Sequence, residues 1–78
     1  MKTTKYFDSI RTRLDRSVIQ SRWIQFVIEN SERTEIQADG RIRKWAKIKE
    51  MENRYLRVIL LDDGETVHNA FFDRGFRL

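Results

Sequence analysis

Arg41-Ile-Arg-Lys-Trp-Ala-Lys-Ile-Lys49 alternates basic or aromatic residues with small or apolar ones over its whole length. Successive side chains of a strand point to opposite faces. Arg41, Arg43, Trp45, Lys47 and Lys49 therefore share one face, and Ile42, Lys44, Ala46 and Ile48 share the other. The first face is electropositive around a flat ring, and the second, apart from Lys44, reads as core. A two-sided strand of this kind belongs to an antiparallel sheet with one covered face.

Downstream of Arg33 the period stays at two, and glycine occurs only at Gly40, Gly64 and Gly75. Ala38-Asp-Gly40 suits a three-residue hairpin loop with its glycine in the left-handed region, which sets Ile36 opposite Ile42 and Glu35 opposite Arg43. A polar loop at Glu50–Arg54 then pairs Ile48 with Leu56 and Ala46 with Val58. The dipeptide Asp63-Gly64 turns the chain again, pairing Leu60 with Val67, Val58 with Asn69 and Leu56 with Phe71. These registers give a four-stranded meander whose core face holds Ile36, Ile42, Ala46, Ile48, Leu56, Val58, Leu60, Val67 and Phe71. The opposite face collects Glu35, Arg41, Arg43, Trp45, Lys47, Tyr55, Arg57, Ile59, Leu61, Thr66, His68, Ala70 and Phe72, with Arg74 beyond. Trp45 then faces Ile59, Lys47 faces Arg57, and Ile59 faces His68.

Upstream, Ser17-Val-Ile-Gln20 fits a capping box, followed by an apolar arc of Ile19, Trp23, Phe26 and Val27 flanked by Val18, Ile24 and Ile28. This predicts the core helix over about Val18 to Glu29, stopped at Asn30 and Ser31, with Trp23 in the core. Lys2 to Phe7 fits a short strand, whereas Phe7, Ile10 and Leu14 fall at helical spacing and favour a short helix from about Asp8 to Leu14. The expected fold is α+β: one domain over 1–78, with a helical part at about 8–30 and a sheet part at about 33–74. One or two N-terminal helices pack on one face of the antiparallel meander.

The 78 residues carry sixteen Lys and Arg against twelve Asp and Glu, a net charge of +4. Residues 41–49 hold five basic residues and no acidic one, a local field that attracts phosphate. With no cysteine and one histidine, disulfide frameworks and the usual zinc ligand sets are excluded, and no cofactor motif or metal spacing is present. Val58–Leu61, the longest aliphatic run, is too short to span a bilayer, and no secretory h-region is evident, so a cytoplasmic location is expected.

Arginine and lysine hold phosphates while aromatic rings stack on unpaired bases, which makes Arg41, Arg43, Trp45, Lys47 and Arg74 candidate nucleic-acid contacts. RNA cleavage through the 2′-hydroxyl needs an acid, a base and cations for the phosphorane. His68 is the natural titrating group, and Arg57, Arg43 and Lys47 are the candidate charge stabilisers. Asp62 and Asp63 read as turn residues, and Asp73 as a partner for Arg74 or Arg77.

The order of Trp23-Ile-x-x-Val-Ile-x-Asn30, Asp39-Gly-Arg-Ile-Arg43, Arg54-Tyr-Leu-Arg-Val-Ile59 and Thr66-Val-His-Asn-Ala-Phe-Phe-Asp-Arg74 resembles small bacterial, often cyanobacterial, proteins. Those are similar in turn to the RelE/ParE/BrnT-like toxin superfamily. The resemblance covers about residues 8–76. It implies a metal-independent endoribonuclease or RNA-binding activity, with His68, Arg57 and Tyr55 as catalytic candidates. The implied partners are RNA or the ribosome, and an acidic antitoxin-like chain. The chain departs from that pattern in lacking a clear first strand and a terminal helix. The alternative is a non-catalytic interaction module, homodimeric or partner-binding, which uses the same sheet face or the edges near Ile36 and Phe71.

Overall fold

The computed structural model describes the backbone of residues 1–78 and every side chain except those of Leu14 and Asp15. Its elements are helices α1 (Lys5–Ile10), α2 (Leu14–Ser17) and α3 (Ser21–Asn30), then strands β1 (Arg33–Ile36), β2 (Ile42–Ile48), β3 (Arg54–Leu60) and β4 (Val67–Phe72). The strands form one antiparallel sheet in the order β1-β2-β3-β4. The architecture is the expected α+β meander with its helices on one face. Phe7, Ile10, Ile19, Trp23, Ile24 and Val27 pack from the helices onto Ala46, Ile48, Leu56, Val58, Leu60, Val67 and Ala70 of the sheet.

The helical part is divided differently from expectation. Thr4 caps α1 by accepting from the Phe7 amide at 3.0 Å, so this helix begins before Asp8 and ends at Ile10. Ser17 closes α2 rather than opening a capping box, and α3 starts at Ser21 with Gln20 as its N-cap. Between the two, Ile19 turns into the core while Val18 stays exposed. Arg11 spans the junction, its Nη2 donating to the Ser21 hydroxyl at 3.0 Å. The expected place of Leu14 on the apolar stripe lies outside the described side chains. Trp23 is buried in the core, as read, whereas Phe26 is exposed. Lys44, the one cation on the core-facing side of β2, sets its Nζ 3.1 Å from the Ile28 carbonyl, where the negative end of the α3 dipole receives it.

Residues before α1 form a single bridge rather than a strand. Val67 donates to the Lys2 carbonyl and Thr4 donates to the Val67 carbonyl, at 2.9 and 3.0 Å. This bridge pairs the β4 edge at Val67, with α1 and α2 packed beside the strand. The β1 edge remains open, and all four of its residues are exposed.

The first hairpin has the expected register, with Ile36 opposite Ile42 and Glu35 opposite Arg43, and Gly40 at φ +88°. Ile36 nevertheless is 76% exposed and not core, because α3 covers β2 and β3 and does not reach the outermost strand. The second register is displaced by two residues: Ala46 faces Leu56, Ile48 faces Arg54, Trp45 faces Arg57 and Lys47 faces Tyr55. The cause is the loop. Lys49–Met51 coil into a 3-10 turn, Glu52 and Asn53 adopt left-handed backbone, and the Asn53 amide closes onto the Ile48 carbonyl at 3.1 Å. A shift of two preserves the faces.

The third register changes them. Leu60 faces Val67 as expected, but Ile59 faces Asn69, Val58 faces Ala70 and Leu56 faces Phe72, leaving His68 as the extra residue of a β-bulge. Every β4 side chain beyond it changes side. Ala70, expected outside, is completely buried, and Phe72 packs against the core while Phe71 pairs with Arg57 on the other face.

Overpacking a filled core costs about 1–3 kcal/mol, so Ala70→Leu is expected to destabilise by about that amount, whereas Ile36→Ala is expected to stay within about 0.5 kcal/mol of the parent. Urea denaturation monitored by circular dichroism measures both, and a neutral Ala70→Leu would contradict the bulge.

Candidate nucleic-acid interface

The face turned away from the helices carries Arg33, Glu35, Arg43, Trp45, Lys47, Tyr55, Arg57, Ile59, Asn69 and Phe71, as the strand pairs dictate. It divides into a covered half and an open half. After β4 the chain turns through Asp73, whose Oδ1 accepts from the Gly75 amide at 3.1 Å, and lays Phe76 back over the sheet. The Phe76 ring stacks on Trp45 at 4.7 Å between centroids and 15° between planes, meets Tyr55 edge-on at 4.8 Å, and lies under the Arg33 guanidinium at 5.6 Å. Trp45 is consequently 3% exposed. Expected as a stacking platform, it is the floor of a second small core.

Asp73 pins that core. Its Oδ2 accepts from Arg57 Nη2 at 2.8 Å, Arg57 Nε at 3.0 Å and Trp45 Nε1 at 3.0 Å. The side chains of Arg57 and Asp73 are only 24% and 14% exposed, and the Arg57 guanidinium lies over Trp45 and Phe71 at 5.3 and 4.9 Å. Burial by itself would raise the Asp73 pKa, but the hydrogen bonds from Trp45 and Arg57, the Arg57 charge and the Gly75 amide outweigh it and hold the carboxyl below its ordinary value. The partner of Asp73 is therefore Arg57, not Arg74 or Arg77.

His68 occupies a different environment. Its ring stacks on Tyr6 at 4.9 Å, and Nδ1 lies 3.1 Å from Thr4 Oγ1. Thr4 Oγ1 also accepts from the Phe7 amide, so one hydroxyl joins the start of α1 to the His68 ring. Burial and then the Arg41 charge lower the His68 pKa, against an opposing pull from Asp39. His68 thus fastens the N-terminal segment to the bulge.

The three catalytic candidates are engaged separately: His68 by Thr4 and Tyr6, Arg57 by Asp73, and Tyr55 by Phe76, with its hydroxyl 3.5 Å from Glu32 Oε1. Along β4, His68 stands three residues from Phe71, the partner of Arg57, which is roughly 10 Å at strand rise. Of the proposed contacts, Arg41 and Arg43 stay on or beside the open half, Arg43 donating to the Gln37 side-chain oxygen, whereas Lys47 stands beyond Trp45, opposite Tyr55. Arg41 lies 3.7 Å from Asp39 and Lys47 lies over the Tyr55 ring at 6.0 Å. Arg74 projects elsewhere, onto a groove of about 490 Å³ shared with Arg54, Arg77, Tyr55, Phe72 and Phe76. Arg54, read as the end of a polar loop, and Arg77, read only as an alternative partner of Asp73, were not assigned to this surface, because tail and loop meet only in three dimensions.

No group of His, Asp or Glu that could hold a metal occurs among the described residues, and no helix of the described chain is long and apolar enough to cross a membrane. No family model matches the chain, and neither a curated protein nor a solved structure matches it.

Asp73→Asn retains the shape of the pin but weakens its charge-assisted bonds, at an expected cost of about 1.5–3 kcal/mol at pH 7. Because the folded Asp73 pKa lies below its unfolded value, this contribution is present above about pH 4 and is lost as the pH falls through the lowered folded value. Denaturation from pH 7 to 3 is expected to show parent and variant converging in acid, with tryptophan emission of the variant shifted to the red. Constant separation across that range would show that Asp73 is not the group responsible.

Proposed function

We propose that this protein is a toxin-like binder of single-stranded RNA, which it holds on the outer face of the sheet without the cleavage expected from the resemblance. The observation that carries this reading is that the helices cover one face only, while the other keeps Arg43 beside Ile59 and Asn69, with Arg41 at its end and Lys47 on the far side of the covered Trp45. Guanidinium and ammonium groups on a sheet surface hold a phosphate backbone, and unpaired bases stack on guanidinium planes as well as on rings. Binding is favoured over catalysis by the engagement of Arg57 with Asp73, which leaves no cation beside the only histidine from the candidate triad.

Fluorescence anisotropy with a labelled single-stranded RNA is expected to give an affinity that falls steeply with salt, and an Arg43→Glu, Lys47→Glu pair is expected to weaken it by about tenfold or more. His68→Ala is expected to bind as the parent does, with the RNA recovered intact. Affinity insensitive to salt and to the paired reversal would overturn the reading; cleavage that depends on His68 would restore the ribonuclease.

The open β1 edge supports a second reading, a homodimer formed by strand addition. The Gln37 amide donates inward to the Arg41 carbonyl, so alternation leaves the amides and carbonyls of Thr34 and Ile36 directed outward. An antiparallel second copy centred on Thr34 places Arg33 opposite Glu35 of the other copy, twice, so opposite charges meet. In sedimentation, Glu35→Arg is expected to abolish the dimer and the added exchange Arg33→Glu to recover it. A monomer at every concentration would remove this alternative.

A further inference from the structure

Where β3 begins and β4 ends, Arg54, Phe72 and Arg74 form a ridge between two grooves. The groove of about 490 Å³ adds Tyr55, Phe76 and Arg77, and one of about 360 Å³ on the other side adds Arg16, Val18 and Phe71. The guanidinium of Arg54 lies 4.7 Å over the Phe72 ring, and that of Arg16 lies 5.1 Å over Phe71. The Arg54 hydrogen bond to the Met51 carbonyl, at 3.3 Å, uses Nε alone. Among the described residues the one side-chain carboxylate lining either groove is Asp73. Its oxygens are occupied by Arg57, Trp45 and the Gly75 amide.

Like charges gathered on one ridge from separate segments add to a local positive potential that attracts an anion. Guanidinium forks match phosphate oxygens, and a fork resting against a ring loses less freedom on binding than one free in water. The aromatic walls supply apolar surface for a planar base beside the phosphate.

We infer that the Arg54–Phe72–Arg74 ridge binds a nucleoside monophosphate unit, with Arg54 and Arg74 on the phosphate and the base against the aromatic wall of the larger groove. The inference rests on the RNA reading only for the source of that unit, which is either a free nucleotide or the phosphorylated end of a strand.

The test uses the full chain labelled with ¹⁵N and titrated with AMP, adenosine and inorganic phosphate, followed by RNA oligomers with and without a 5′-phosphate. AMP is expected to shift the amides of Arg54, Tyr55, Phe72 and Arg74, adenosine to bind at least tenfold more weakly, and Arg74→Gln to reduce AMP affinity about tenfold or more. Arg74 is exposed and its side chain supports no element of the fold, so this variant separates binding from stability. Arg54→Lys, which keeps the charge and loses the fork, is expected to fall between parent and Arg74→Gln. Should AMP be silent while the 5′-phosphorylated oligomer binds and loses affinity with Arg74→Gln, the ridge is a strand-end site. AMP shifts confined to Arg43 and Lys47, or full AMP and oligomer binding by Arg74→Gln, would overturn the ridge and leave the RNA reading standing. AMP binding at the ridge without any RNA affinity would overturn the RNA reading and leave the ridge. Silence of every probe would overturn both.

Discussion

The bulge at His68 is the constraint on which the rest of this structure depends. One extra residue between the Leu60–Val67 and Ile59–Asn69 pairs exchanges the faces of everything that follows in β4. Ala70 and Phe72 turn under the helices, and Phe71 turns outward beside Arg57. The same alternation carries Asp73 to the outer face, where its carboxylate meets Arg57 and Trp45, and so determines where the tail can fold back and set Phe76 on Trp45. A β4 without the bulge would send Asp73 to the helical side, leaving Arg57 and Trp45 without that acceptor.

Two cores result, divided by the sheet. The larger is aliphatic with Phe7 and Trp23, and the smaller is built from rings and one ion pair. Small domains without disulfides or metals have little core to spare. A second layer made by a few residues of tail adds burial to the face that no helix covers. That economy has a functional consequence, since it removes the most conspicuous aromatic of the basic strand from solvent while leaving Lys47 exposed and Arg43 half-buried on the outer face.

The parts of the fold legible in the sequence are those set by local chemistry. Gly40 after Asp39 gave the first register because only a residue tolerant of positive φ closes that loop, and the Ile36–Ile42 and Glu35–Arg43 pairs agreed with it. The second register was legible in its faces but not in its partners, since the left-handed Glu52 gives no signal of its own. For the site, the cations of β2 could be assigned to one face by period alone. Whether each stayed open depended on a tail whose conformation has no periodic pattern to read.

Alternation of residue types thus determined by itself that this chain is an α+β meander with a basic outer face, because the strand period fixes which side chains travel together. Only the tertiary structure decided which of those side chains remain available. The spacing from Val67 to Ala70 is the trace that the bulge leaves in the sequence, but an alternation ending on Phe71 reads equally well there. What selects between the two is burial. Beneath the packed helices the bulge sets the apolar Ala70 opposite Val58, where the unbulged register would bury the Asn69 amide, and that face is closed to water only once the helices are in place.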